Sequence, residues 1–183
     1  ECDGFGNISD LNDWLNTNGG ASSTDDCSNV NWSNDFTTLT DDCGATGTAT
    51  VTFTATDDCG NETETTAVFT IADNTPPTIG TTAQDTTINC STADQDAAIL
   101  SWLNNNGGAE ASDICGNVSW SNDYTNNLSD DCGLSGTVVV TFTAIDDCGN
   151  TSTSTATLTV IDNTPPTIDI DASNLTVECD GLG

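Results

Sequence analysis

Nine cysteines and a recurring set of Asp and Asn side chains are the groups in this chain that could bond, bind or react. Catalysis has little to work with. The chain has 29 acidic residues and no His, Lys or Arg, so the usual general bases, amine nucleophiles and oxyanion-pairing cations are missing. A two-carboxylate glycosidase stays chemically possible, but the acidic pairs fall in repeated turns, and the chain reads as a non-enzyme. The cysteines contain no CxxC pair, which points away from zinc ribbons and thioredoxin-type chemistry. At matched positions in a repeated unit they read as disulfides, and disulfides place a protein outside the cytoplasm.

The repetition is explicit. The strings DWLNTNGGASSTDDC, NVNWSNDF, TATVTFTATDDCGN and NTPPTI run from Asp13 to Ile79, and nearly the same text returns from Ser101 to Ile168. The offset is 88 residues at Trp14/Trp102, Cys27/Cys115 and Trp32/Trp120, and 89 at Cys43/Cys132, Cys59/Cys148 and Pro76/Pro165. The second copy therefore carries one extra residue between Trp120 and Cys132. ECDGFG at Glu1 returns as ECDGLG at Glu178. The expected division is a first repeat over 1–75 with its N-terminal strand truncated, a second over 76–164, and the start of a third over 165–183. On this reading the chain is a length of a longer array, and Cys179 has its partner beyond Gly183. Arrays of this kind supply reach or multivalency more readily than one reaction centre.

Within the second copy, Thr86–Asn89 reads as a first strand. Asp94 is then placed to cap a helix carrying Ile99, Trp102 and Leu103 on one face, and Asn106-Gly107-Gly108 to end it. The first copy repeats that face with Leu11, Trp14 and Leu15, and the tryptophans read as core anchors. Asn117 to Asp123, Thr137 to Ile145 and Thr153 to Ile161 read as strands. Ala49, Val51, Phe53 and Ala55 interleave with threonines in the period-2 pattern of a sheet with one wet face. The expected class is all-β, a Greek-key β-sandwich per repeat with one short inserted helix.

Strand polarity in such a sandwich orders the cysteines by end. Cys90 and Cys132 belong at the far end of the second copy, and Cys115 and Cys148 at its N-terminal end. The expected disulfides are therefore Cys90–Cys132 and Cys115–Cys148, repeated as Cys2–Cys43 and Cys27–Cys59. Beside the second pair, Asp113, Asp146, Asp147 and Asn150 meet linker residues Asp73 and Asn74, a plausible oxygen set for a hard cation. Asp25, Asp57 and Asp58 are the matching set in the first copy. The alternative is turn chemistry, since Asp, Asn and Gly populate tight turns without any metal. Pro76-Pro77 and Pro165-Pro166 favour extended connectors that keep successive units in line.

The combination TFTATDDCGN, a Thr-rich last strand and DNTPPTI resembles hyalin-type, immunoglobulin-like repeats. With ECDG, WLNTNGGA, DDC and WSNDF it is similar to the tandem repeats of giant surface adhesins of gliding Bacteroidetes, over essentially the whole chain. The resemblance implies tandem immunoglobulin-like sandwiches, an extracellular cell-surface location, and a stalk segment of a motility or attachment filament. It also adds weight to calcium at the junctions between units. The partners implied are neighbouring repeats of the same chain, with an extracellular surface or glycan as a further possibility. A carbohydrate- or protein-binding module is the alternative. Nucleic acid and membrane insertion are not expected of a chain without Lys or Arg and without a long apolar run.

Overall fold

The computed structural model describes residues 1–90, 95–129, 133, 135–178 and 181. In chain order they form α1 (Ile8–Asn16), β1 (Val30–Asn34), β2 (Gly47–Asp57), β3 (Glu62–Ile71), β4 (Thr78–Thr81), β5 (Thr86–Asn89), α2 (Gln95–Asn104), β6 (Glu110–Ser112), β7 (Val118–Asn122), β8 (Gly136–Asp146) and β9 (Thr151–Ile161). Among the described residues the chain is mostly β-sheet with two short α-helices, in keeping with the all-β expectation. Asp94, expected to cap α2, lies outside the described residues.

Both copies build the same antiparallel core. In the first, β1, β2 and β3 lie side by side; in the second the order is β5-β9-β8-β7, with β5 parallel to β9. The registers match: Trp32 pairs with Ala55 as Trp120 pairs with Ala144, and Phe53 with Thr65 as Phe142 with Ser154. The extra residue of the second copy is absorbed in the loop after Asp123. Asp123 still receives the Thr141 amide at 2.8 Å as Asp35 receives Thr52 at 2.7 Å, and Ser129 still donates to Thr137 O as Thr40 does to Thr48 O, both at 2.8 Å. Asn126, at φ 57°, turns the chain within that loop.

Alternation sorts the faces as the period-2 pattern requires. Val140, Phe142, Ala144, Ala156, Leu158 and Val160 are buried, while the intervening threonines face outward. Helix α2 covers this face with Ile99 and Leu103. Trp102 stands edge-on to Phe142 at 5.2 Å, as Trp14 does to Phe53 at the same distance. Each helix ends where glycine must follow. A Cβ on Gly107 would lie 2.9 Å from the Phe142 ring and one on Gly19 2.8 Å from the Phe53 ring, and both glycines have φ near +65°.

Two strands were not legible in advance. The stretch after Pro76-Pro77 reads as a connector, yet Thr78–Thr81 forms β4, which pairs antiparallel with β6. Pro77, just before β4, is fully buried. The residues packed on the main sheet of the second copy are therefore Ile99 and Leu103 of α2 together with Ala83, after β4, and Ala109, just before β6. Residues 162–178, assigned to the connector and a third copy, form no helix or strand.

Candidate functional site

The cysteines locate the site, at the join between the two sequence copies. Cys2 is bonded to Cys115, with Cα atoms 5.9 Å apart, and Cys43 to Cys148, with Cα atoms 5.2 Å apart. This corrects the expected Cys2–Cys43 and Cys115–Cys148 pairs. Polarity placed the cysteines at the right ends: Cys2 and Cys43 at the far end of the first copy, Cys115 and Cys148 at the near end of the second. The error was to close each pair within its own copy, because the two ends face each other and both of the described bonds cross between them. Cys27 and Cys59, expected to pair, are exposed and unbonded. The Cys90–Cys132 pair cannot be placed, since Cys132 lies outside the described residues.

Local backbone bonds aim each sulfur. Cys2 enters as an extension of the sheet edge, its amide donating to Ala72 O at 2.8 Å, just as Cys90 donates to Ile161 O. Cys43 sits in a turn closed by Thr46, whose hydroxyl donates to Cys43 O at 2.6 Å. The next residues dock directly on the second copy, where the Ala45 amide donates to Cys115 O at 2.6 Å. Gly44, at φ +56°, passes so close that a Cβ would overlap Cys115 O. Cys2, Ile71 and Cys115 form a small buried cluster with Leu39, Ala45 and Phe69 against it. Glu1 ties down the connector, accepting the Asn74 amide at 2.7 Å and the Thr75 hydroxyl at 2.9 Å. The Asn74 amide leads the donors that hold the Glu1 carboxyl below its ordinary value.

One sulfur bridge would leave a swivel. Two bridges anchored at separate points, Cys2 at the chain start and Cys43 in the loop before β2, remove rotation as well as separation. In a chain whose side chains cannot form an ion pair, covalent closure also makes the join indifferent to salt.

The acidic residues proposed as cation ligands have other employment. Asp146 is buried; its Oδ1 accepts the Cys148 and Asn150 amides at 2.9 and 2.8 Å, and its Oδ2 the Asn150 side chain at 2.9 Å. Asp57 repeats this with Cys59 and Asn61, and Asp25 closes its turn on the Cys27 and Ser28 amides. Asp147 receives the Asn117 amide at 2.8 Å, and Asp58 that of Asn29 at 3.3 Å. Asn150 Nδ2 reaches Asp73 O at 3.2 Å, which joins the last-strand loop to the connector. Asp73 and Asp113 do converge, within 4.8 Å of each other and of Cys115. Each already accepts one amide, Thr75 and Cys115 respectively, and the Cys115 sulfur is in a disulfide. Two partly used carboxylates do not supply a cation that takes six to eight oxygens. Turn closure, the alternative open from the sequence, accounts for these residues.

That closure has a pH signature. Burial alone would raise the Asp146 carboxyl, but the Asn150 side chain and the amides of Asn150, Cys148 and Gly149 outweigh it, leaving the group below its ordinary value. A depressed carboxylate stabilises the fold above its unfolded pKa, about 3.9, and that contribution is lost as pH falls through the folded value. The melting-temperature gap between the natural protein and Asp146→Asn should therefore be widest near neutrality and shrink below about pH 4. Relief of general charge repulsion acts on both proteins alike and cancels. A gap that is constant from pH 7 to pH 3 would contradict the assignment.

Among the described residues no helix is long and apolar enough to cross a membrane, and the disulfides fit an oxidising compartment. No protein-family model matches the chain and no curated protein matches it, so what it does has to be read from this cross-linked join.

Proposed function

We propose that the chain is a structural segment of a long secreted cell-surface filament, built from tandem immunoglobulin-like repeats and serving as the stalk of an attachment or gliding-motility adhesin. The single observation that carries this reading is the paired disulfide crossing between two copies of one sequence unit. An enzyme or a compact receptor gains nothing from immobilising one repeat against the next. A stalk gains reach, because locked joins add their lengths instead of coiling. The uniform negative charge fits the same role, keeping neighbouring filaments apart and soluble. Such a stalk does not need calcium, since the sulfur bridges already lock the join and the junction carboxylates close turns.

Small-angle scattering in oxidising and reducing buffer tests it. The oxidised protein should give one maximum dimension from low to high salt and with or without EDTA. Dithiothreitol should broaden the distance distribution and make it salt-dependent. Identical profiles in both redox states would remove the support for a locked stalk. A profile that collapses with EDTA would restore a metal to the join.

A further inference from the structure

The same joint has a second, open half. In the second copy the segment Thr78–Asn89 lies across the fold: β4 pairs with β6, the Ala83 amide donates to Ser154 Oγ at 2.8 Å, Gln84 O accepts the Trp102 indole at 3.0 Å, Asp85 accepts the Thr157 amide at 2.7 Å, and β5 pairs with β9. In the first copy the corresponding positions have no such cover. Ser154, Ala156 and Leu158 are buried, whereas their counterparts Thr65, Ala67 and Phe69 are exposed or half-buried. Gly107 and Ala109 are buried and their counterparts Gly19 and Ala21 are not. A groove of about 460 Å³ runs there, between the Ala21–Asp25 stretch that matches β6 and the sheet residues Trp32, Thr63 and Thr65.

Two residues beyond the groove-lining Asp25 and Asp57 come Cys27 and Cys59, both exposed and held as their bonded counterparts are. The Cys27 amide donates to Asp25 at 2.8 Å and the Cys115 amide to Asp113 at 2.7 Å; the Cys59 amide donates to Asp57 at 2.8 Å and the Cys148 amide to Asp146 at 2.9 Å. The two loops also touch each other in the same way, through Asn29 and Asp58 in one copy and Asn117 and Asp147 in the other. The receiving geometry is thus already built before any bond is made.

We propose that this face receives another copy of the same repeat: a strand of Thr78–Asn89 chemistry fills the groove, and Cys27 and Cys59 form disulfides with that copy's Cys2 and Cys43. Each bond joins two thiols, and the two electrons and two protons pass to a disulfide oxidant, oxidised glutathione in the experiment below. The groove is then a strand seat, not a pocket for sugar or another small ligand. The inference rests on reading the sulfur-bridged join as a repeating element, and its failure can be told apart from the failure of that reading.

The test places residues 1–88 directly ahead of Glu1, which preserves the 88-residue phase and delivers Thr78–Ile88 to the first copy of the intact chain. Both proteins are folded in glutathione buffer, alkylated without reduction and cut at Asp and Glu. In the natural chain Cys27 and Cys59 should be fully alkylated. In the extended chain their alkylation should fall to one half, with linked Cys2–Cys27 and Cys43–Cys59 peptides appearing. Full alkylation, or a linked Cys27–Cys59 peptide, would overturn the inference. Cys2–Cys115 and Cys43–Cys148 peptides in the same digest report separately on the original join. Should the extended chain misfold, a synthetic peptide of residues 78–89 is added to the natural chain and amide exchange is followed at Ser22–Asp25. Exchange should slow with that peptide and not with its Ile79→Asp, Ile88→Asp variant; equal exchange with both would count against the strand seat.

Discussion

Replacing Cys43 and Cys148 together by serine should lower the stability of the oxidised protein by about 4 kcal/mol. The bond spans a sequence separation of 105 residues. In the chain-entropy model, cross-linking a lone loop of about 100 residues removes about 4.7 kcal/mol of unfolded-state freedom, and the overlapping Cys2–Cys115 bridge, still present, has already removed part of that. For a chain of this size that corresponds to a fall in melting temperature of about 10 °C. Removing Cys2 and Cys115 as well should add at least as much again, because the two loops overlap and the bridge removed last, with a sequence separation of 113, is the only one of the two left to restrict the unfolded chain. Calorimetry of the three oxidised proteins measures this directly. Melting within 2 °C of the natural protein for the Cys43→Ser, Cys148→Ser variant would mean that the join carries no weight in the fold. Peptide mapping that found Cys43 bonded to Cys2 would refute the pairing itself.

The second large effect needs no sulfur. Gly44→Ala should cost about 3 kcal/mol, whereas the equivalent change one repeat later, Gly133→Ala, should cost about 1. Both glycines have φ near +60°, so alanine pays the left-handed backbone penalty at either site. A Cβ at Gly133 meets nothing within 4 Å among the described residues, while one at Gly44 runs into the Cys115 carbonyl. Relieving that overlap pulls the turn off the second copy and breaks the Ala45–Cys115 hydrogen bond. Denaturant melts of the two variants supply the comparison. Equal losses would show that the turn does not press on the second copy, and with that the close docking of the two copies would be refuted.

Several elements were readable because each answers to one local rule. The faces Leu11-Trp14-Leu15 and Ile99-Trp102-Leu103 need only helical spacing, and Ala49 to Ala55 needs only alternation. The cysteine ends followed from strand direction. What could not be read was the copy to which each partner belongs: Cys115 and Cys148 lie in adjacent loops, and nothing local distinguishes bonding to each other from bonding to a facing module. β4 was missed because Pro76-Pro77 announces a connector and Thr78–Thr81 is too short to show alternation. The two readings of the acidic residues could not be separated in the sequence for a related reason. Asp146 followed by Asn150 looks like a pair of ligands in text, and only coordinates show the carboxylate accepting from Asn150 and Cys148.

The join also changes what it takes to sever the chain. Among the described residues three covalent routes run in parallel from one copy to the next: the backbone through Asp73–Pro77, the Cys2–Cys115 bridge and the Cys43–Cys148 bridge. Tension is shared among them, and no single broken bond releases the downstream end. A protease that nicks the connector at its exposed residues, Asn74 to Pro76, leaves both fragments attached, so the two copies part only where cutting and reduction coincide.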